Sequence, residues 1–546
     1  MRISMKALSL ATVLVAALTT LAGCGSTTPT TCTGWEKLLP SAVNGRKAIQ
    51  ALGEKQCDVS IPKLEEIFPE SRYKEDILLA IKQINKPAAS ANLLNMALRD
   101  SEAAVQAAAV VEYFVSQNVE GFDKKVFRPA ILEILSTNKA LDARMNALKA
   151  LGSIDADNLS QDEDICIKLL LEDPNLQKID VNAEAARMLG RMKSEKAIPA
   201  LIKGVFIRDQ RGRQPYSPVR MALSAIGRPA VEPIIGVLTK DTTNYKTLIE
   251  EMNALASKMG VFDWQIYDGP ELVQILGDLR DPRAAMALAK DLGSPLTPPV
   301  GVDDRVITNW QNSQQNRITM SMLGLWNIGT PEIIPVLVST ILNPDNDVKQ
   351  RLDTASSMSL IPDYVGIQPL LKIYKESKMG TFRAPLVKVI SLGVDWDNYA
   401  AFKKVLAGEK ADIVLERFKG EGEEAMAFKA TVRVLEECQK NDVDCLIKML
   451  DEPSQITGQK AAILMGNLKD PAARETALKA LLAKYPTIHA RDGIDFRRFV
   501  LLSIWRLSDK NTIPEIEKLL AADKADSLAA YWVEEVQAFL NALPFK

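Results

Sequence analysis

The fold of this chain is decided by residues 219–238, which read VRMALSAIGRPAVEPIIGVL. Up to Ile226 the apolar residues recur every three or four positions, as they do on the buried face of an amphipathic helix. Gly227 can take the positive φ that ends a helix, and Pro233 stands near the start of a second apolar run, where a missing N–H costs least. The stretch predicts two short helices joined by a tight turn.

The same pattern recurs along the chain. In five copies a proline follows a fixed position by nine residues, as Pro233 follows Ser224. A helix pair of this size cannot bury its apolar faces alone, so successive pairs must stack on one another. The other four prolines are Pro199 after Gly190, Pro335 after Trp326, Pro369 after Leu360 and Pro514 after Trp505, and weaker copies occupy residues 148–171, 275–292, 391–406, 434–450 and 464–482.

The pattern resembles the HEAT repeat, in the variant that reads x-V-R-x-x-A-x-x-A-L-G-x-I-G-D-P-x-A-V-P-x-L. The resemblance covers residues ~60–545 and implies an all-α fold, an α-solenoid of about ten to twelve HEAT-like helical hairpins stacked into a superhelix over residues 35–546. An irregular helical bundle is the alternative. The best copy matches at Val219, Arg220, Ala222, Leu223, Ile226, Gly227, Ala230, Val231, Pro233 and Ile234.

The N-terminus resembles the export signal of a bacterial lipoprotein. Two basic residues, Arg2 and Lys6, precede an apolar run over 7–22, whose 16 residues are short for a membrane span of about 20. The run ends in LAGC at 21–24, which is similar to a lipobox. The resemblance implies a signal peptide over 1–23, acylation of Cys24 and export. An ordinary cleaved signal peptide and a spanning helix are the alternatives.

Residues 24–34 are small and polar, and they predict a flexible tether between the lipid anchor and the helices. The residue after Cys24 is Gly25 rather than the Asp that retains many lipoproteins in the inner membrane. By that family rule we expect an outer-membrane lipoprotein that faces the periplasm or the cell surface.

Export permits disulfide bonds. Cys438 and Cys445 flank a predicted turn between two helices, and a bond there would join one hairpin. Cys32 and Cys57 are expected to tie the end of the tether to the first helices. Cys166 then remains as a buried thiol. A metal site is the weaker alternative, because the chain has no C-x-x-C motif.

Three long interruptions of the repeat predict an interaction surface. They are residues 207–218, 261–270 and 293–311, here called the rim segments, because each joins the second helix of one repeat to the first helix of the next. Arginine, tyrosine and tryptophan are common anchors of protein interfaces, while the alternative is that the aromatic side chains fold back and the arginines are solvated. The predicted partner-binding residues are Arg208, Arg211, Arg213, Tyr216, Trp264, Tyr267 and Trp310.

Composition excludes several classes of function. Lys and Arg number 67 against 69 Asp and Glu, so no overall field attracts nucleic acid. The single histidine, His489, leaves no material for multi-histidine metal sites and is expected to be an exposed loop residue. No glycine-rich phosphate loop occurs. We therefore predict no cofactor, no metal and no enzymatic activity.

The leading functional hypothesis is a lipid-anchored scaffold of the cell envelope that binds other proteins through its solenoid surface. An accessory subunit of a secretion or motility machine is a special case of this hypothesis. The alternative is an envelope hydrolase acting on glycan or peptide, with two carboxyl groups as acid and base. Its candidate residues are Asp263, Asp268, Asp303 and Asp304.

Overall fold

The computed structural model describes residues 28–137, 141–154, 156–294, 296–377, 380–407 and 422–546, and all regular structure in these ranges is helical. The fold is an all-α helical repeat, as predicted. The predicted signal peptide and Cys24 lie outside the described residues. Internal contacts divide the chain into two compact units, residues 1–155 and 156–546.

The first unit contains eight described α-helices. The buried side chains of this unit are mainly Ala, Ile and Leu, such as Ile49, Leu93 and Ile131. The helices are α1 Cys32–Glu36, α2 Gly45–Glu54, α3 Ile61–Ile67, α4 Lys74–Ile84, α5 Ala91–Leu98, α6 Ala103–Ser116, α7 Arg128–Thr137 and α8 Leu141–Ile154.

The second unit carries the clearest repeats. Its first half contains α9 Glu163–Leu171, α10 Ile179–Met192, α11 Ile198–Gly204, α12 Tyr216–Ile226, α13 Val231–Leu238, α14 Lys246–Met259, α15 Asp263–Tyr267, α16 Pro270–Leu279, α17 Ala285–Leu292, α18 Asp304–Ile328 and α19 Ile334–Leu342. Its second half contains α20 Val348–Ser359, α21 Ile367–Glu376, α22 Gly380–Gly393, α23 Trp396–Ala407, α24 Glu423–Glu437, α25 Val443–Leu450, α26 Gln455–Met465, α27 Pro471–Lys484, α28 Ile494–Leu507, α29 Ile513–Ala525 and α30 Ala530–Ala542.

The repeat pattern is confirmed where it was read first. Helices α12 and α13 flank Gly227, whose φ is +80°, and the chain bends by 111° between them. A 3₁₀ turn precedes the second helix, and the recurrent proline stands in its first turn, as at Pro199, Pro335 and Pro514. Proline is tolerated there because the first N–H groups of a helix have no partner within it.

Glycine is less necessary at these turns than the sequence suggested. The first helix of two repeats ends at Lys193, with φ +50°, and at Arg280, with φ +49°. A side chain in this left-handed region costs roughly 1 kcal/mol, which the surrounding structure must offset.

The second unit closes on itself, which the prediction of an extended array did not include. The last helix, α30, packs against α12 and α16. Trp326 of α18 stacks on Phe499 of α28, with ring centres 5.1 Å apart. The Trp505 indole N–H donates to the Asn327 carbonyl over 3.2 Å. Part of the surface of these repeats is therefore covered by helices from the last part of the same chain.

Buried charges hold this closure. Arg220 of α12, only 3% exposed, pairs with Asp278 of α16 at 2.5 Å. It also reaches Glu534 at 2.9 Å and Glu535 at 2.8 Å on α30. One guanidinium thus joins three helices, and its charge is compensated by three carboxylates.

Among the helices that the structure describes, none is by itself long and apolar enough to cross a membrane. Only the bent pair α12 and α13 meets the length and composition together, and it does so across the 111° bend.

Candidate functional site

The first rim segment, 207–218, forms a turn between α11 and α12. Asp209 organises it, because its carboxylate accepts from the backbone N–H groups of Arg211 and Arg213 over 2.9 Å. The Arg213 guanidinium donates to the same carboxylate over 2.7 Å. Arg211 and Arg213 are exposed, and Arg208 is half-buried. Burial lowers the pKa of Arg208, and the nearby Glu271 opposes that shift.

The two predicted tyrosines serve mainly to join helices. The Tyr216 hydroxyl lies 2.7 Å from the Gln274 side-chain oxygen of α16, and burial raises its pKa well above the ordinary value. Tyr267 is 5% exposed, and its hydroxyl donates to Asn253 over 2.5 Å. Lys240 lies 4.4 Å from the Tyr267 ring centre.

The second rim segment, 261–270, is partly helical because α15 runs through it. Trp264 is half-buried and stacks on Phe262, with ring centres 6.1 Å apart. Phe262, which the predicted partner-binding residues did not include, is 43% exposed, whereas Trp264 is half-buried. Its place beside Trp264 in the same interruption was the available signal.

The third rim segment, 293–311, was predicted as a loop throughout, and its second half is helical. Asp303 caps α18 by accepting from the Val306 N–H over 2.8 Å, so the helix begins at Asp304. Trp310 therefore lies on a helix face and is 6% exposed.

Trp310 belongs to the wall of an open groove with a volume of about 640 Å³. The groove lies between the third rim segment, α18 and the turn that leads into α20. Four apolar residues line it, Leu296, Pro298, Trp310 and Ile318, together with eight that carry amides or carboxylates, Gln311, Gln314, Gln315, Asn343, Asp345, Asn346, Asp347 and Gln350.

Hydrogen bonds hold the inner amides of the groove. The Gln350 amide N–H donates to the Leu292 carbonyl over 2.7 Å, and its carbonyl oxygen has no partner. The Asn346 side chain donates to Thr340 over 3.0 Å. The Gln314 side chain donates to the Asp268 carbonyl over 2.9 Å, which brings the second and third rim segments together.

Outer amides are left for a ligand, since Gln311 and Gln315 are exposed on the same helix. A side-chain amide both donates and accepts, so it can pair with either group of a peptide unit.

The four aspartates considered for hydrolysis are all exposed. Asp303 is engaged as a helix cap, and Asp268 pairs with Arg317 at 3.6 Å. None of them lines the groove. Acid–base hydrolysis places two carboxyl groups in a substrate cleft, whereas these four are exposed and lie outside the groove.

The cysteines pair as predicted. Cys32 and Cys57 are bonded, with Cα atoms 5.7 Å apart, and Cys438 and Cys445 are bonded, with Cα atoms 5.5 Å apart. Cys166 is a free, buried thiol, and burial raises its pKa to about 12. Within the described ranges no group of three His, Cys, Asp or Glu side chains could hold a metal ion. His489 is exposed and accepts from the Asp492 N–H over 3.1 Å.

Comparison with known proteins gives no family. No family model matches the chain, and no curated protein is significantly similar to it. Solved structures that resemble it include an engineered protein, at 15% identity and a TM-score of 0.24, over 76% of this chain and 98% of that one. Kap121p matches at 12% identity and a TM-score of 0.24, over 93% of this chain and 66% of that one. A Kap121p mutant matches at 10% identity over 93% and 72%. These scores assign no function.

Proposed function

We propose that this protein is a lipid-anchored scaffold of the cell envelope that binds other proteins through the groove beside the third rim segment. The carrying observation is the composition of that groove, in which apolar side chains and exposed amides line one open channel of about 640 Å³. An extended peptide needs backbone donors and acceptors together with pockets for its side chains. The groove supplies both.

The closure of the second unit favours this groove over the helix surfaces that the closure covers. Helix α30 packs against α12 and α16, so a partner cannot use the surfaces that it covers without displacing the buried pairs of Arg220. The groove beside the third rim segment lies outside this contact, because none of its lining residues belongs to α12, α16 or α30. Surface segments positioned by a rigid scaffold are common binding sites.

The location in the cell envelope is proposed from the sequence. The lipobox-like LAGC at 21–24 supports acylation of Cys24 and anchoring in the outer membrane. The two disulfide bonds are compatible with an oxidising compartment. A Cys24→Ala variant should keep its signal peptide and incorporate no fatty-acid analogue. Labelling of that variant to the level of the parent protein would refute the anchor.

Binding is tested by purifying the protein from detergent-solubilised envelopes and identifying the proteins that accompany it. Gln311→Ala combined with Gln315→Ala should lower the recovery of a specific partner several-fold, because both exposed amides line the groove. Asn316→Ala is the matched control, since Asn316 is an exposed amide on the same helix that does not line the groove. Equal recovery from the double variant and the control would exclude this groove as the contact surface.

Trp310 is unsuitable for the same test. Truncating a buried tryptophan costs about 3–5 kcal/mol of folding stability, so Trp310→Ala is expected to weaken the fold together with any binding. At 6% exposure, Trp310 fits the alternative that the aromatic side chain folds back onto the helices. Trp264→Ala, at a half-buried ring, should cost less.

A further inference from the structure

A second cavity, separate from the groove, opens where the turns of several repeats meet the end of the chain. It has a volume of about 370 Å³. Its walls come from the turn after α12, the turn after α16, the end of α18, the turn after α26, the end of α28 and residues 542–546. The closure of the second unit creates this cavity, because it brings repeats from both halves of the unit to one place.

Six basic side chains line the cavity, and only one acidic side chain does. The acidic residue, Asp281, is engaged by Arg283 at 2.9 Å and by Arg228 at 3.4 Å. Lys469 at the mouth has an outside partner in Asp363. The cavity therefore carries an excess of positive charge, from Arg228, Arg280, Lys469, Arg474, Arg506 and Lys546.

Arg280 is the most buried of these, at 8% exposure. Its guanidinium lies 4.7 Å from the Trp505 ring centre and 5.0 Å from that of Phe539. Two of its nitrogens, Nε and Nη1, are buried without a hydrogen-bond partner. An unsatisfied buried donor on a charged group destabilises the fold. The backbone of Arg280 is also left-handed, which adds to the cost of holding it there.

The neighbouring cations are held by backbone oxygens, which do not neutralise them. Arg506 donates to the Leu360 carbonyl, and Arg474 donates to the Leu468 carbonyl over 3.0 Å. Lys546 donates to the Ser508 carbonyl over 2.7 Å. Burial lowers the pKa of Arg506 to about 10. Burial, with Arg474 and Arg280 nearby, lowers the pKa of Lys546 to about 8. An anion in this space would relieve the repulsion.

The geometry points to a binding site for a small organic anion, whose phosphate or carboxylate group pairs with Arg280 and Arg506 and whose apolar part lies against the cavity wall. Guanidinium groups present planar sets of donors that suit both oxyanions. The wall beside them is apolar at Leu279, Ile328 and Trp505. A cavity of this size admits a small molecule and no folded partner.

The site is tested with phenyl phosphate, benzoate and benzyl alcohol as probes, titrated calorimetrically into the full-length protein. Phenyl phosphate and benzoate should bind, with Kd at or below the order of 1 mM, and neutral benzyl alcohol should not. Arg280→Gln should weaken phenyl phosphate binding by about tenfold or more. Arg211→Gln is the matched control, because it removes one exposed positive charge from the first rim segment.

A second variant keeps the test informative if Arg280→Gln does not fold. Lys469 is exposed at the mouth of the cavity, so Lys469→Gln should leave the melting temperature unchanged and weaken binding about threefold. Absence of binding by both anions would overturn the proposal. So would anion binding that neither Arg280→Gln nor Lys469→Gln weakens relative to Arg211→Gln.

A competition experiment identifies the source of the anion. Vesicles containing phosphatidylglycerol should displace phenyl phosphate if the natural ligand is a lipid headgroup. Vesicles that leave phenyl phosphate bound indicate a soluble anion in the same site. Displacement by phosphatidylcholine vesicles as well would show that the vesicles remove the probe without using the cavity, and it would contradict a headgroup ligand.

Discussion

The arginines of the first rim segment and those of the cationic cavity lie in opposite surroundings. Arg211 and Arg213 are exposed, and Arg213 pairs with Asp209 in its own turn. Arg280 is buried, and two of its nitrogens have no partner. Water solvates the first pair at little cost, whereas the second position can be maintained only by the packing around it.

A third arginine, Arg220, is also buried, and its positive charge is compensated by carboxylates. Three carboxylates lie within 3.0 Å of its guanidinium. The environments of the rim arginines, Arg220 and Arg280 show that burial alone does not identify an arginine that binds a ligand. A buried arginine with carboxylate partners holds the fold together, and a buried arginine without them marks a place where a ligand can supply the missing charge.

The largest effect is expected from Arg220→Met. The change leaves Asp278, Glu534 and Glu535 without their cation and should lower the free energy of unfolding by about 3–5 kcal/mol. Urea denaturation followed by circular dichroism measures it. A loss under about 1 kcal/mol would show that the closure of the second unit does not depend on this ion network.

Arg280→Met should act in the opposite direction. Arg280 makes no ion pair with a described residue, and only Glu535 and Asp278 favour its charge against the cost of burial. Replacing such a buried charge by an apolar side chain of similar length is neutral or stabilising by about 1 kcal/mol, while phenyl phosphate should no longer raise the melting temperature. Urea denaturation gives the change in the free energy of unfolding. Thermal denaturation with and without phenyl phosphate gives the shift in melting temperature. Destabilisation as large as that of Arg220→Met would show that Arg280 stabilises the fold in the same way as Arg220.

The pH dependence of anion binding tests the contribution of Lys546 to the cationic cavity. The pKa of Lys546 is lowered to about 8 by burial and by Arg474 and Arg280, and Asp509 opposes this. Below that pH the amine is charged and assists binding, and above it the charge is lost. Phenyl phosphate should therefore bind about threefold to tenfold more weakly at pH ~9.5 than at pH ~7. Lys546→Met should lose most of this difference and keep only a small one, because Arg280 and Arg506, with pKa values lowered to about 10 by burial, lose a minor part of their charge at pH ~9.5. A difference as large as that of the parent protein would point to another group.

The smallest effects are expected at the rim. Arg211→Gln and Arg213→Gln should each change the free energy of unfolding by less than about 0.5 kcal/mol, because exposed charges contribute little. Neither should alter the binding of phenyl phosphate. If either variant abolishes partner recovery while leaving the fold unchanged, the partner surface extends from the groove to the first rim segment.

The sequence predicted the local structure of the repeat well and the rim less well. The prolines mark the second helices because their ring geometry acts within one turn of chain. The two disulfide pairs followed from the export signal and the positions of the cysteines. The helical half of the third rim segment was missed, although Asp303 is a good N-cap, because the prolines before it suggested a loop.

What the sequence determined by itself is the all-α repeat, the turns at Gly227 and its counterparts, and the pairing of cysteines close in the chain. Those features depend on φ preferences and on apolar periodicity, which act over a few residues. Tertiary structure alone decided that α30 returns to α12 and α16. The same packing pairs Arg220 directly with carboxylates and leaves two nitrogens of Arg280 without a hydrogen bond, with Glu535 and Asp278 acting on its charge from a distance. The two arginines look alike in the sequence, but their roles differ because burial and partners are set by residues distant in the chain. The carboxylates that pair with Arg220 lie 58, 314 and 315 positions away.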